Sequence, residues 1–282
     1  MIFSNYHTHT KYCDGKNTVE EMVLSAIRAG LKRIGLSGHM TLPFPNDWTI
    51  REEHLENYLQ DITDAQKAYG DQIQIYTGLE IDYFPYLDDI SEQSKSILHR
   101  LDYYICSLHC VDFFPNSSEM GYYDGDYDNF ERVLEELYQR DPKRLVEDYY
   151  HRYARMAQKI KPDILGHLDL IKKHNHQYHF FDEESDWYRD LVMETLREIQ
   201  RSGSILEINT GKIHQFGMAG LYPSLWIVNE VINLKIPITV NGDSHDIDHI
   251  CDGYNTVARY LKLNGCRKIM VFEKDQWIEM PL

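Results

Sequence analysis

Short runs rich in β-branched and apolar residues alternate along the chain with longer stretches in which apolar positions recur every three or four residues. The runs predict strands over 2–6, 33–37, 73–79, 103–108, 164–166, 205–209 and 236–240, with a further strand over 268–272 that closes or flanks the sheet. The periodic stretches predict helices over 18–29, 55–69, 127–137, 142–160, 187–202 and 224–234. Asn17 suits the N-cap of the first helix and Gly30 its C-terminal stop. Strand, helix, strand is the repeating unit, and it predicts an α/β fold of βα units about a parallel sheet.

The polar residues at the strand ends carry more information than the strands. Reading each strand to its C-terminal end gives His7 with His9, then His39, Glu80, His109, His167, Glu207 with Asn209, and Asp243 with His245. In a parallel α/β barrel those ends meet at one face, where the loops that follow assemble an active site. Residues two apart on a strand share a face, so His7 and His9 can offer both imidazoles to one metal ion. Asp243 and His245 have the same spacing. One HxH among 14 histidines is weak evidence, but a ligand-type or hydrogen-bonding residue at every strand end is not. Imidazoles mixed with Asp and Glu suit Zn²⁺, Fe²⁺ or Mn²⁺, whereas Ca²⁺ and Mg²⁺ ask for more oxygen. Because histidines outnumber carboxylates, more than one divalent ion is expected, with Glu80 available as a bridge.

Composition narrows the class. A chain of 282 residues without Pro-rich, Gly/Ser-rich or repeated segments reads as one domain spanning 1–282. The start MIFSNYH lacks a basic and apolar leader, and no apolar run reaches bilayer length. Five cysteines, with no CxxC pair, argue against a disulfide framework, so a reducing cytoplasm is the expected setting. A net charge of −16 repels long nucleic acid and membrane surfaces. A small anion is still admissible, because bound cations reverse the field inside one pocket.

The ordered series HTHTKYCDG, SGHM, GLEID, SLHC, GHLDL and NGDSH resembles the motifs of the PHP superfamily, named for polymerase and histidinol phosphatase. SGHMTLPF and GHLDLIKK resemble its histidinol-phosphate phosphatases most. The resemblance spans His7 to His245 and implies a distorted (β/α)7 TIM-like barrel with two or three divalent metal ions, zinc first and iron or manganese as alternatives. By motif position His7, His9, Glu80 and Asp243 would hold the first ion, Glu80, His109 and His167 the second, and Asp14, His39 and His245 the third. Members of the family often carry His where this chain has Asp14 or Gly15, which makes Asp14 the point to check. The implied reaction is hydrolysis of a small phosphate monoester, L-histidinol phosphate, to L-histidinol and phosphate. Glu80 would bridge the first two ions, and His39 or His245 where not committed to metal, or a metal-bound water, could protonate the leaving alkoxide.

Lys172 and Lys173 after GHLDL, and Lys212 after EINTG, follow strand ends closely enough to reach a phosphate, with Asn209 and His214 as further substrate contacts. Solvated surface lysine is the competing reading. The run HNHQYH, holding His174, His176 and His179, reads as an exposed or substrate-entrance loop. Tyr149, Tyr150 and Tyr153, at near-helical spacing, read as core packing. Residues 110–130, rich in Gly and aromatics after His109, suit a lid or plain surface decoration. The alternatives are a PHP-type phosphodiesterase or nucleotide phosphatase, a non-catalytic metal-binding module, and an amidohydrolase-like deaminase, whose order of metal ligands is not found here.

Overall fold

A computed structural model describes residues 1–282. The strands are β1 (Ser4–Asn5), β2 (Arg33–Leu36), β3 (Gln74–Asp82), β4 (Tyr103–Ser107), β5 (Cys110–Phe113), β6 (Met120–Tyr122), β7 (Ile164–Leu165), β8 (Ile205–Asn209), β9 (Ile238–Asn241), β10 (Lys268–Glu273) and β11 (Gln276–Pro281). Seven of them form one parallel sheet in the order β1-β2-β3-β4-β7-β8-β9. The sheet curls until its two edges meet just beyond the strand ends. There His9 N donates to Ser244 O at 2.9 Å and Ser244 N to His7 O at 3.1 Å. The HxH and DSH motifs therefore close the barrel as well as line it, giving the distorted TIM-like barrel that the family resemblance implies.

Local chemistry sets the helices. Helix Val19–Arg28 is capped by Thr18, not Asn17, because Thr18 and Glu21 form a reciprocal capping box. Asn17 instead accepts from Ile247 N at 3.2 Å. Helix Pro142–Ile160 starts from an Asp141 cap and buries Tyr149, Tyr150 and Tyr153. Tyr149 donates to Leu168 O at 3.0 Å and Tyr153 to Gly166 O at 2.7 Å. These two hydroxyls hold the backbone on either side of His167, so a packing face also positions a site residue. Helix Tyr254–Leu263 was not expected, although it buries an apolar stripe of Tyr254, Val257, Ala258 and Leu261.

Two segments are more elaborate than the expected strand over 268–272 and loop over 110–130. Strands β10 and β11 form an antiparallel hairpin outside the barrel sheet, packed where the strands begin. Phe272 N donates to Tyr6 OH at 2.8 Å, and Trp277 Nε1 donates to Asp163 Oδ1 at 3.2 Å. The 110–130 segment is also more built than a loop. Strands β5 and β6 pair antiparallel and lead into helix Tyr127–Arg132. A satellite core of Leu42, Phe84, Cys110 and Met120 underlies this hairpin. No helix is long and apolar enough to cross a membrane.

Candidate metal centre

Two sets of ligand atoms meet on one carboxylate. Glu80, at the end of β3, turns Oε2 toward His7 Nε2 at 3.0 Å and His9 Nε2 at 3.5 Å. Asp243 Oδ1 completes that set, 3.5 Å from His7 Nε2 and 3.1 Å from His9 Nε2. Glu80 Oε1 faces the other way, 3.0 Å from His167 Nε2 and 3.6 Å from His109 Nε2, which are 3.3 Å from each other. Glu80 thus spans both sets with its two oxygens, and Ser107 Oγ donates to Oε1 at 2.6 Å.

The third set gathers on the outer side of His9. Asp14 Oδ2 lies 3.1 Å from His245 Nε2 and 3.7 Å from His39 Nε2, while Oδ1 lies 3.5 Å from His9 Nδ1. Asp14 therefore points into the cluster. Its neighbour could not substitute, since a Cβ on Gly15 would come within 2.5 Å of the His9 and Thr10 backbone.

A second layer aims these ligands. His7 Nδ1 donates to Glu207 Oε1 at 2.7 Å, and His109 Nδ1 donates to Asp82 Oδ1 at 2.9 Å, so each presents Nε2 to the centre. Asp82 was overlooked, although the alternation in GLEID places it on the same face as Glu80. Asn209 Nδ2 donates to Glu207 Oε2 at 3.0 Å and Asp243 Oδ2 at 3.1 Å, and its Oδ1 accepts from Gly211 N. Every polar atom of this buried amide is committed, so the expected substrate contact by Asn209 is corrected to one of orienting two carboxylates.

Charge in the cluster is mutually held. Burial opposes ionisation of Glu80, yet the His7 and His39 imidazoles keep its carboxyl well below the usual range. Burial likewise opposes charge on Asp243, and His7 and His9 overcome it. Burial drives His39 down to about 3. His109 is raised to about 10, because Asp82 and Asp124 outweigh its burial.

Over these residues lies a cavity of about 770 Å³ whose wall includes Trp48, Tyr122, Asp124, Lys173, Lys212 and His214. Lys172 is not on that wall. Its ammonium is turned inward to Leu221 O at 2.8 Å, Ser224 Oγ at 2.6 Å and Asp169 Oδ2 at 2.9 Å, so the expected phosphate contact is corrected to a structural tie. The short turn that follows β7 sends Lys173 outward in its place, where it faces Asp124 at 3.8 Å. Lys16, also on the wall, pairs with Asp246 at 3.0 Å, whereas Lys212 has no carboxylate partner. Of the HNHQYH run, His174 Nε2 donates to Gly125 O at 2.9 Å and His176 packs on Phe216, away from the cluster.

The donor set fits divalent metal. Zinc bonds of about 2.0–2.1 Å in a tetrahedron place neighbouring ligand atoms about 3.3 Å apart, the range found in the first two sets. His9 Nε2 and His39 Nδ1 are buried close to carboxylate oxygens, yet make no hydrogen bond.

A model of the PHP domain matches residues 5–211. The chain belongs to the PHP domain family. A histidinol-phosphatase from Bacillus subtilis (strain 168) is 28% identical over 264 residues, covering 88% of this chain and 95% of its own. A hisK structure from Listeria monocytogenes matches with a TM-score of 0.77 and 22% identity, over 90% of this chain and 99% of the other. A histidinol phosphate phosphatase from Lactococcus lactis, complexed with zinc, L-histidinol and phosphate, matches with a TM-score of 0.73 and 21% identity over 98% of each chain. The two structural matches share the fold of this chain.

Proposed function

We propose that this chain is a metal-dependent phosphomonoesterase that hydrolyses L-histidinol phosphate to L-histidinol and phosphate. The observation that carries the reading is the placement of Glu80, whose two oxygens serve two histidine-rich sets at the base of one cavity. The named activity of the Bacillus subtilis relative and the zinc, histidinol and phosphate in the Lactococcus lactis structure support the choice of substrate.

His7, His9, Glu80 and Asp243 would hold one ion, Glu80, His109 and His167 a second, and Asp14, His39 and His245 a third, with zinc favoured by the imidazole-rich donors. Bound there, such ions supply Lewis-acid charge neutralisation and water acidified to near-neutral pKa. The chain supplies the rest. Lys212, free of carboxylate partners, and Lys173 draw the phosphate down onto the cluster as point charges. With only the first two ions bound, His245 would be the better-placed proton donor for the leaving oxygen, since its side chain is 36% exposed on the cavity wall against 8% for His39; with the third ion bound, its Nε2 serves as a ligand instead. Asp243 O accepts from His245 Nδ1 at 3.0 Å, which fixes the ring with Nε2 toward Asp14. Trp48 and Tyr122 narrow the cavity and limit water around the reacting centre.

The test is steady-state turnover of histidinol phosphate beside nucleoside monophosphates and phosphotyrosine, before and after chelation. The expected result is a preference for histidinol phosphate, abolished by chelator and restored by Zn²⁺ or Mn²⁺. Turnover of the other esters alone rejects the substrate assignment. Turnover that survives exhaustive chelation rejects the metal dependence.

A further inference from the structure

A second imidazole cluster stands at the cavity mouth, outside the three sets above. His214 follows β8 and His249 follows β9, and their rings stack with centroids 4.0 Å apart and planes 16° from parallel. Asp252 Oδ2 lies 2.7 Å from His249 Nδ1. One ligand atom from each of these three residues lies within 4.8 Å of the others.

The arrangement is built by the backbone. Gly253 has φ +75°, and Ile213 packs directly on it, so a Cβ there would come within 2.6 Å of Ile213 Cδ1. Only glycine allows that approach, which brings the His214 turn against the 249–252 turn. The latter turn is itself anchored: Ser244 Oγ donates to His249 O at 3.2 Å and Asn5 Nδ2 to Ile250 O at 2.9 Å.

We infer that His214, His249 and Asp252 form an additional, exchangeable site for a divalent transition metal such as Zn²⁺ at the rim of the cavity. Imidazole and carboxylate donors select that class of ion over Ca²⁺ or Mg²⁺. The partial exposure of His249 and Asp252, 39% and 36%, makes it a weaker and faster-exchanging site than the buried cluster. The binding stands apart from the substrate assignment, because it needs no turnover.

Holoenzyme dialysed free of excess metal is titrated with ZnCl₂ by calorimetry. The expected result is one further equivalent, absent in His249→Ala and bound about 10–100-fold more weakly in Asp252→Asn. His176→Ala, which alters the other histidine-rich turn, is expected to bind that equivalent as the parent does. A holoenzyme that takes up no further zinc overturns the inference. So does an additional equivalent that persists in His249→Ala or disappears in His176→Ala.

Discussion

The two ends of the barrel are finished in opposite ways. At the end where the strands begin, Tyr6, Phe272 and Trp277 pack edge to face, with ring centroids 5.0–5.2 Å apart for the pairs made by Trp277. The large side chains there find protein partners: Tyr6 OH accepts from Phe272 N, Trp277 Nε1 donates to Asp163, and Arg33 pairs with Glu273, although Arg33 Nε and Ser4 Oγ are left without one. At the opposite end, His9 Nε2 and His39 Nδ1, each facing carboxylate oxygens of the cluster, are buried without hydrogen bonds. A buried polar group without a partner costs about 1–3 kcal/mol. Orphaned atoms at the first end are scattered single groups, whereas those at the other gather in a donor set that fits divalent ions. One end contributes stability, and the other is where function is assembled.

The largest expected effect lies at the ligand end. Glu80→Gln removes the charge shared by two ligand sets, and turnover should fall by more than about 10³-fold, since outer partners alone are worth about 10–100-fold. Elemental analysis should show loss of bound metal in the same variant. If Glu80→Gln keeps both its metal content and its rate, the bridging role is wrong and the contrast between the ends collapses. The mirror experiment is Phe272→Ala in the hairpin, where Phe272 is buried against Tyr76 and Trp277. Truncating a buried Phe costs about 3–5 kcal/mol of stability. The folded fraction should retain kcat/KM within about twofold. A large drop in kcat/KM with unchanged denaturation midpoint would show that this hairpin, the plug at the end where the strands begin, acts on the site.

The contrast also explains what could be read from residues alone. The ligand end was legible because each strand delivers one chemically distinctive side chain, so His7, His9, Glu80, His109, His167 and Asp243 stood out against apolar runs. The plug was not, because Lys268–Glu273 has strand character and nothing local says which partner it takes. It pairs with Gln276–Pro281 rather than with the barrel sheet. Lys172 and Lys173 show a finer limit. Both follow GHLDL, and only the three-residue turn Leu170–Lys172 decides that the first ammonium faces Asp169 and the second the cavity. Glu207 stood at a strand end with its role open between ligand and hydrogen-bond partner; its 2.7 Å approach to His7 Nδ1 makes it an orienting carboxylate.

That orienting layer offers an intermediate effect. Asp82→Asn keeps an acceptor for His109 Nδ1 but removes its charge, so metal affinity and kcat should each fall by about 10–100-fold. Asp82→Ala should fall further, because the ring is then free to turn. Equal losses in the two variants would mean that charge alone matters there, and that ring orientation does not distinguish this end.

The smallest effect tests whether the plug end is fully satisfied. Asp163 accepts from Tyr104 N at 3.1 Å and Trp277 Nε1 at 3.2 Å, yet burial still raises its carboxyl above the ordinary carboxylate value. A raised carboxyl pKa means the folded protein binds this proton more tightly than the unfolded chain. The contribution of Asp163 to stability therefore falls as pH rises from the ordinary carboxylate range through the raised value, and is lowest at neutral pH. Asp163→Asn loses one hydrogen bond at every pH but carries no titration. The Tm of the variant minus that of the parent should consequently be more favourable at pH 7 than at pH 4, measured on metal-free protein so that the ligand end does not contribute. If the difference is constant with pH, the two hydrogen bonds offset the burial of Asp163, and the plug end pays no electrostatic cost at all.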